Sequence, residues 1–252
     1  MMTPRTPLLL LLATIALGLL AAPHAPAQQP KRVGEVAVPE GCVRVAVDTG
    51  SFGAWLRALP LRADTRIASY KGTAVSNPIY DVLAVVDMRL LFARDLEQCA
   101  DFAMRFWAEY HRSSGRLDDL FLFEYGGRRT RFRSSGLGYE SFLRRAFAGS
   151  NSHSLKKGCT PITAEQLAPG DLIVQNERGG IGHVSVIMDA CIARNGERLY
   201  LIGFSFMPAQ EFHIERASRA HGRGGWFTLA GYTRWLDDNL PLGAPVLRRF
   251  PR

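Results

Sequence analysis

The 252-residue sequence lacks the spacings that hold common metals and cofactors. It contains neither C-x-x-C nor H-x-x-x-H, so no zinc-type ligand pair is present. It also has no G-x-x-x-x-G-K-[ST], and no G-x-G-x-x-G between a strand and a helix, which removes the usual signals for nucleotide and dinucleotide binding. We therefore predict no metal and no cofactor.

The sequence also lacks an apolar run long enough to cross a membrane. The longest candidate, Leu8 to Ala22, has 15 residues, whereas a spanning helix needs about 20. This run follows Arg5 and precedes the A-P-A at 25–27, which fits a signal-peptidase site. We predict a signal peptide at residues 1–27 and export to the periplasm or the extracellular space, with no stable membrane span after cleavage.

Acidic residues are fewer than basic ones, with 23 against 31 and a formal net charge of +8. Removing the predicted signal peptide removes one charge, that of Arg5, and leaves 8 − 1 = +7. Between residues 128 and 157 there are eight Lys or Arg and a single acid, Glu140. In an exported protein this balance favours peptidoglycan or another anionic envelope polymer as partner, although a basic balance is equally common as plain solubility. The exported compartment, rather than the charge, argues against nucleic acid as partner. The sequence leaves the oligomeric state open.

Cysteine is scarce, and the four present allow three complete disulfide pairings. Disulfides persist in exported proteins. If Cys99 is a working thiol, at most one bridge can form among Cys42, Cys159 and Cys191. The sequence does not select which one.

One of these cysteines lies on a predicted amphipathic helix in the segment RDLEQCADFAMRFWAEY. Apolar residues recur at helical spacing from Leu96, and Asp95 with Gln98 fits an N-terminal capping box. Cys99 is therefore predicted to lie in or just after the first turn. The partial positive charge of a helix start favours a thiolate.

A second segment, PGDLIVQNERGGIGHVSVIMD at residues 169–189, has the pattern of a turn, a strand, a glycine loop and a strand that opens on His183. A nucleophilic cysteine needs a base, and the tetrahedral intermediate needs N–H donors for its oxyanion. We predict Cys99 as nucleophile and His183 as base. The backbone N–H of Cys99 is the first oxyanion donor, and Gln98 is a candidate for the second.

The third catalytic group can be sought from strand register. If Asn195-Gly196 forms a two-residue hairpin turn, Gln210 shares a sheet face with His183. Gln210 is therefore the first candidate to orient the imidazole. Ser205 is the second, because one β-bulge would exchange the two faces. Asp189 is predicted on the face of His183, but roughly 20 Å along the strand.

The segments RDLEQCADFAMRFWAEY and LIGFSFMPAQEFHI resemble two signature blocks of an uncharacterised family of exported bacterial proteins with a domain of unknown function. That resemblance spans residues 43–250. More distantly, the cysteine helix and the PGD and GHV strands resemble NlpC-type cell-wall cysteine peptidases and related amidases. The likeness implies an α+β papain-like domain, with the cysteine-bearing helix packed on an antiparallel sheet and a polar residue on the next strand orienting His183.

These observations give one predicted organisation: a signal peptide at 1–27, a polar leader at 28–40 and a single papain-like domain at 41–252. The predicted function is hydrolysis of an amide bond, in peptidoglycan peptides, through a Cys99 thioester. Two alternatives remain open. One is a non-catalytic envelope-binding module on the same fold, and the other is an acyl transferase that uses the same Cys99 and His183.

Overall fold

A computed structural model describes residues 29–251 and shows a mixed α+β protein. The predicted signal peptide lies outside the described residues. Two short 3-10 helices occur at Val33–Glu35 and Leu117–Asp119. Within the described range the α-helices are α1 (Phe52–Ala58), α2 (Cys99–Ser113), α3 (Tyr139–Ala148), α4 (Ser152–Gly158) and α5 (Leu229–Asn239).

Most strands belong to a ten-stranded sheet in which every neighbouring pair is antiparallel. Its strands are β1 (Cys42–Arg44), β4 (Val82–Val85), β7 (Thr160–Pro161), β8 (Leu172–Gln175), β9 (His183–Ala193), β10 (Arg198–Phe204), β11 (His213–Glu215), β12 (Gly222–Arg223), β13 (Trp226–Phe227) and β14 (Val246–Arg249). Two small hairpins lie outside it and pair β2 (Ile67–Ala68) with β3 (Ala74–Val75) and β5 (Phe121–Phe123) with β6 (Arg129–Arg131).

The large sheet has a hydrophobic core on each face. On one face, α1 to α4 pack over Val184 and Val186 of β9. On the other face, Tyr232 and Trp235 of α5 cover Ile187 and neighbouring apolar residues. The predicted α+β class is therefore confirmed, as is the packing of the Cys99-bearing helix on an antiparallel sheet.

The β9–β10 hairpin differs from the predicted register in two ways. Three residues, 194–196, connect the strands, because Ala193 already hydrogen-bonds with Glu197. Gly196 supplies the positive φ of 85° that this turn needs. A bulge at Met188 then shifts the register once more, since Leu201 pairs with Asp189 and Ile202 pairs with residue 187. The predicted two-residue turn is therefore wrong.

The bulge moves Asp189 to the opposite face from the one predicted. Met188 and Cys191, three residues apart, both point into the core beneath α2. Asp189 lies on this same side and contacts Arg57 of α1. A regular strand would have placed Asp189 on the same face as His183. The face predicted for Asp189 was therefore wrong, and the physical reason is the extra residue in β9.

The N-terminal segment predicted as a polar leader contributes to the folded unit. Val33 and Val36 are buried in the core, and the N–H of Val33 donates to the carbonyl oxygen of Leu59 at 3.1 Å. Residues 33–35 pack against α1 within the folded unit. Over residues 29–251 no helix combines the length and the apolar character needed to cross a bilayer.

Candidate active site

Cys99 is the first residue of α2, where backbone N–H groups are free of helical partners. The N-cap is Gln98, whose N–H donates to the Asp101 carboxylate at 3.1 Å. The helix thus begins three residues later than a cap at Asp95 would give. Asp95 instead accepts the N–H of Ala209 at 2.6 Å. The prediction that Cys99 lies in the first turn is confirmed, and the predicted cap at Asp95 is wrong.

The Cys99 thiol lies against the backbone on either side of His183. Its Sγ is 4.0 Å from the carbonyl oxygen of Gly182, and the N–H of Val184 hydrogen-bonds to the sulfur. Only 7% of Cys99 is exposed. Burial raises the pKa of this thiol to about 12, and the Val184 N–H opposes that rise. In this structure Cys99 is therefore a neutral thiol.

His183, the first residue of β9, is buried without a hydrogen bond to either ring nitrogen. Its ring lies edge-on to Phe204 and Phe206, with centroids 4.9 and 5.5 Å away. Burial lowers the pKa of His183 to about 3, so the ring is neutral. Since Val184 points into the core beneath α2, strand alternation directs His183 to the other face. No hydrogen bond joins this imidazole to the Cys99 thiol.

The other predicted site residues hydrogen-bond to groups other than His183. The Nε2 of Gln210 donates to the Tyr80 hydroxyl at 2.8 Å. The Ser205 hydroxyl donates to the carbonyl oxygen of Gln210 at 2.7 Å. The Nε2 of Gln98 donates to the Asp95 carboxylate at 3.0 Å. Thus neither Gln210 nor Ser205 orients the imidazole in this state, and the Gln98 amide is held by Asp95.

Sequence reasoning missed two ionisable residues on β11, His213 and Glu215. In the sheet, Phe204 pairs with His213, which places both side chains on the face of His183. The His213 ring lies 4.4 Å from the ring of Phe204 and 4.5 Å from that of Tyr80, so Phe204 separates the two imidazoles. The H-I-E alternation was the available signal, because it puts two ionisable groups on one face of a strand.

His213 and Glu215 form a buried pair whose ordinary charges are suppressed. Burial lowers the pKa of His213 to about 3, and nearby His183 adds to that shift. Burial raises the pKa of Glu215 to about 8. The His213 Nε2 and the Glu215 Oε2 are 3.3 Å apart. At neutral pH a carboxylic acid therefore faces a neutral ring.

Tyr80 packs against this pair, with its ring centroid 4.5 Å from that of His213. Burial raises the pKa of Tyr80 to about 12. We refer to Tyr80, His183, Gln210, His213 and Glu215 as the buried polar cluster.

Buried polar atoms without a hydrogen-bond partner are concentrated in this cluster. Each such atom costs about 1–3 kcal/mol, so natural proteins retain few of them and retain them mainly where function requires. Across residues 29–251, no group of three His, Cys, Asp or Glu side chains is placed to hold a metal ion. Within the cluster, the atoms without a hydrogen-bond partner are Nδ1 and Nε2 of His183, Nδ1 of His213 and Oε1 of Gln210, while Nε2 of His213 and Oε2 of Glu215 face each other at 3.3 Å without hydrogen-bond geometry.

The two segments with the family-like blocks, RDLEQCAD at 94–101 and SFMPAQ at 205–210, contact each other across this site. Asp95 accepts the Ala209 N–H, and the Ser205 hydroxyl lies 3.3 Å from the carbonyl oxygen of Glu97. The sequence model of a family described as domain of unknown function (4846), DUF4846, matches residues 33–135 and 128–237. The chain belongs to this family.

The DUF4846 match includes Cys99 and every residue of the buried polar cluster. It confirms the predicted membership in an uncharacterised domain family. Comparison with curated proteins and with solved structures found no match.

Proposed function

We propose that this DUF4846 protein is an exported thiol hydrolase of papain-like, NlpC-type fold that cleaves an amide bond, with Cys99 as nucleophile and His183 as base. The observation that carries the proposal is a thiol at a helix start beside a cluster of buried, unpartnered ionisable groups. Perturbed titratable groups gathered in one place are characteristic of catalytic sites.

In the proposed reaction, His183 takes the proton from Sγ of Cys99, and the sulfur attacks the amide carbonyl carbon. The backbone N–H of Cys99 stabilises the oxyanion. His183 then protonates the leaving amine, and water hydrolyses the thioester. Both pKa shifts arise from burial, so hydration of the two groups when the site opens lowers the pKa of the thiol and raises that of the imidazole. The two pKa values then lie closer together, which makes proton transfer from Sγ to the ring less unfavourable.

The reaction requires the His183 ring to reach the thiol from the opposite face of the sheet. His183 is the first residue of its strand, and the loop before it contains Gly179, Gly180 and Gly182. Glycine gives this loop the conformational freedom to reposition the ring. Opening of the site therefore includes a change at residues 179–183 in the proposal.

A stem peptide of peptidoglycan is the proposed substrate. Support comes from the predicted export signal, the basic charge and the NlpC-type resemblance. An acyl transferase would share the same thioester and would differ only in the acceptor, an amine in place of water. Detection of a transferred acyl group in the presence of an added amine distinguishes the two reactions.

Site-resolved alkylation tests the proposed pair. On the mature protein at pH 7, we expect Cys99 to react with iodoacetamide at least about tenfold faster than in His183→Ala, because the imidazole removes the thiol proton in the open state. Peptide mass spectrometry gives the rate for each cysteine. Cys159 is the internal control, because it is only 3% exposed and its burial likewise raises its pKa.

Equal labelling of Cys99 and Cys159 in the folded protein would contradict the proposal, as would an unchanged Cys99 rate in a folded His183→Ala variant. Circular dichroism shows whether each variant is folded. Release of new amino groups from peptidoglycan peptides by the native protein, lost in Cys99→Ala, is the matching activity result.

A cavity favours a second candidate function, binding of an anionic glycan. It has a volume of about 760 Å³ and lies near the C-terminal half of α2, away from Cys99. The guanidinium groups of Arg116 and Arg129 lie 4.8 and 4.5 Å from the ring centroids of Tyr110 and Phe121. In the described part of the chain neither arginine, nor Arg131 beside them, forms a salt bridge. Guanidinium groups over aromatic rings suit a carboxylated sugar.

Binding measurements test this second function. We expect Arg129→Ala to weaken binding of a soluble, carboxylate-bearing peptidoglycan fragment about tenfold, the effect of losing one charge-assisted hydrogen bond. Arg133→Ala is the matched control, from the same basic segment but outside the cavity. If Arg129→Ala and Arg133→Ala lost affinity equally, the cavity would not be the binding site. The same conclusion would follow if the native protein bound a neutral chitooligosaccharide as tightly as the carboxylate-bearing fragment. Cys99→Ala should leave this affinity unchanged.

A further inference from the structure

Cys42 and Cys191 lie on neighbouring strands with their side chains on one face. In the register of β1 and β9, Cys42 pairs with Ala193 and Arg44 pairs with Cys191. Directly paired residues point to the same side, so the two cysteines are diagonal neighbours on the side of the α2 core. Their sequence separation of 149 positions conceals this proximity.

The two thiols are neighbours that differ in accessibility. Burial raises the pKa of Cys191 to about 12, and the nearby Cys42 adds to the rise. Cys191 is fully buried, whereas Cys42 is half-buried. The Nη2 of Arg223 is 3.0 Å from Sγ of Cys42, which places a positive charge beside the accessible sulfur.

We propose that Cys42 and Cys191 are joined by a disulfide in the mature protein, tying the edge strand β1 to β9. Strand β1 has only three residues and follows Gly41, whose φ is 74°. Because the two cysteines are diagonal neighbours, the bond requires this short strand to move toward β9 until the Cβ atoms are about 3.5–4.5 Å apart. Like any bridge among Cys42, Cys159 and Cys191, this bond leaves Cys99 free.

The bond forms by exchange with a disulfide donor of the compartment. The Cys42 sulfur, as a thiolate, attacks one donor sulfur and releases the other as a thiolate, giving a mixed disulfide. The Cys191 sulfur, after losing its proton, attacks the Cys42 sulfur and releases the second donor thiolate. The two cysteines lose two protons and two electrons, and the donor disulfide is reduced to two thiols. The Arg223 guanidinium favours the first step.

Non-reducing peptide mapping tests the proposal. After exposure of the folded mature protein to oxidised glutathione, denaturation with iodoacetamide and digestion with trypsin, we expect peptides 33–44 and 179–194 to be linked. Cys99 and Cys159 should be carbamidomethylated. Four alkylated cysteines, a glutathione adduct left on Cys42, or any other linked pair would overturn the proposal.

Thermal unfolding provides a second measurement on the same sample. Closing a loop of this length is expected to raise Tm by roughly 5–10 °C relative to the reduced protein. Cys42→Ser should unfold at the Tm of the reduced native chain whether or not oxidant is present. A Tm that does not differ between oxidised and reduced native protein would also contradict a bond between these strands.

Discussion

The free energy of unfolding is expected to fall by about 3 kcal/mol for each of His183 and His213 between pH 6.5 and pH 4. Burial holds both pKa values near 3, against 6.5 for an ordinary histidine. As the pH falls below 6.5, the unfolded chain binds a proton at each ring before the folded protein does. The contribution of each histidine is thus present above pH 6.5 and is lost progressively as the pH approaches 3.

Urea unfolding at pH 7, 6, 5 and 4 measures this effect. Each buried histidine is expected to contribute about 1.4 kcal/mol per pH unit to the slope of the free energy of unfolding against pH. His213→Gln should remove one such contribution, because glutamine does not titrate. The control is His221→Gln, which changes a partly exposed histidine that hydrogen-bonds to Ser218. If the free energy of unfolding fell with pH as steeply in His213→Gln as in the native protein, protonation of His213 would not be coupled to unfolding.

Glu215 should act in the opposite direction at higher pH. Its folded pKa of about 8 lies above the ordinary 4.5. The protonated carboxyl is therefore favoured by folding, and stability falls as the pH rises from 4.5 through 8. Below pH 6.5 the two histidines outweigh Glu215, and above it Glu215 alone lowers stability, so the combined contribution of the buried polar cluster is largest near pH 6.5.

Local features of the sequence predicted the elements that carry Cys99 and His183. Apolar spacing located α2, and the glycine loop followed by alternation located the start of β9. Both depend on residues close together in the chain, where propensity and periodicity are informative. The position of the cap was wrong because Asp95 hydrogen-bonds to Ala209, a contact over 114 positions that local spacing does not reveal.

The rest of the candidate site depends on pairings between distant segments. β11 pairs with β10 on one side and β4 on the other, and this brings Glu215 to the backbone N–H of Asp81 at 2.7 Å. Tyr80 and His213 meet through the same arrangement. Neither contact follows from a helix or strand period. The bulge at Met188 also cannot be read from a local period. It turns Asp189 to the other face of the sheet, and only the pairing of β9 with β10 shows this.

Asp189 is the group for which we expect the largest loss of stability on substitution. Its side chain is fully buried and accepts hydrogen bonds from Nε of Arg57 at 2.6 Å and from the backbone N–H of Ala190 at 2.8 Å. The Nε of Arg44 forms a salt bridge with its other oxygen at 2.9 Å. This carboxylate therefore links α1 and β1 to the centre of β9.

Asp189→Asn is expected to lower the free energy of unfolding by about 3 kcal/mol, since removing one member of a buried ion pair leaves its partners uncompensated. Arg57 and Arg44 cannot regain full hydration, because their side chains are 15% and 25% exposed. The matched control is Asp81→Asn, whose carboxylate is 63% exposed and pairs with Arg216. That exposed pair contributes less than about 1 kcal/mol. Equal denaturant midpoints for the two variants would mean that Asp189 does not hold α1 and β1 on the sheet.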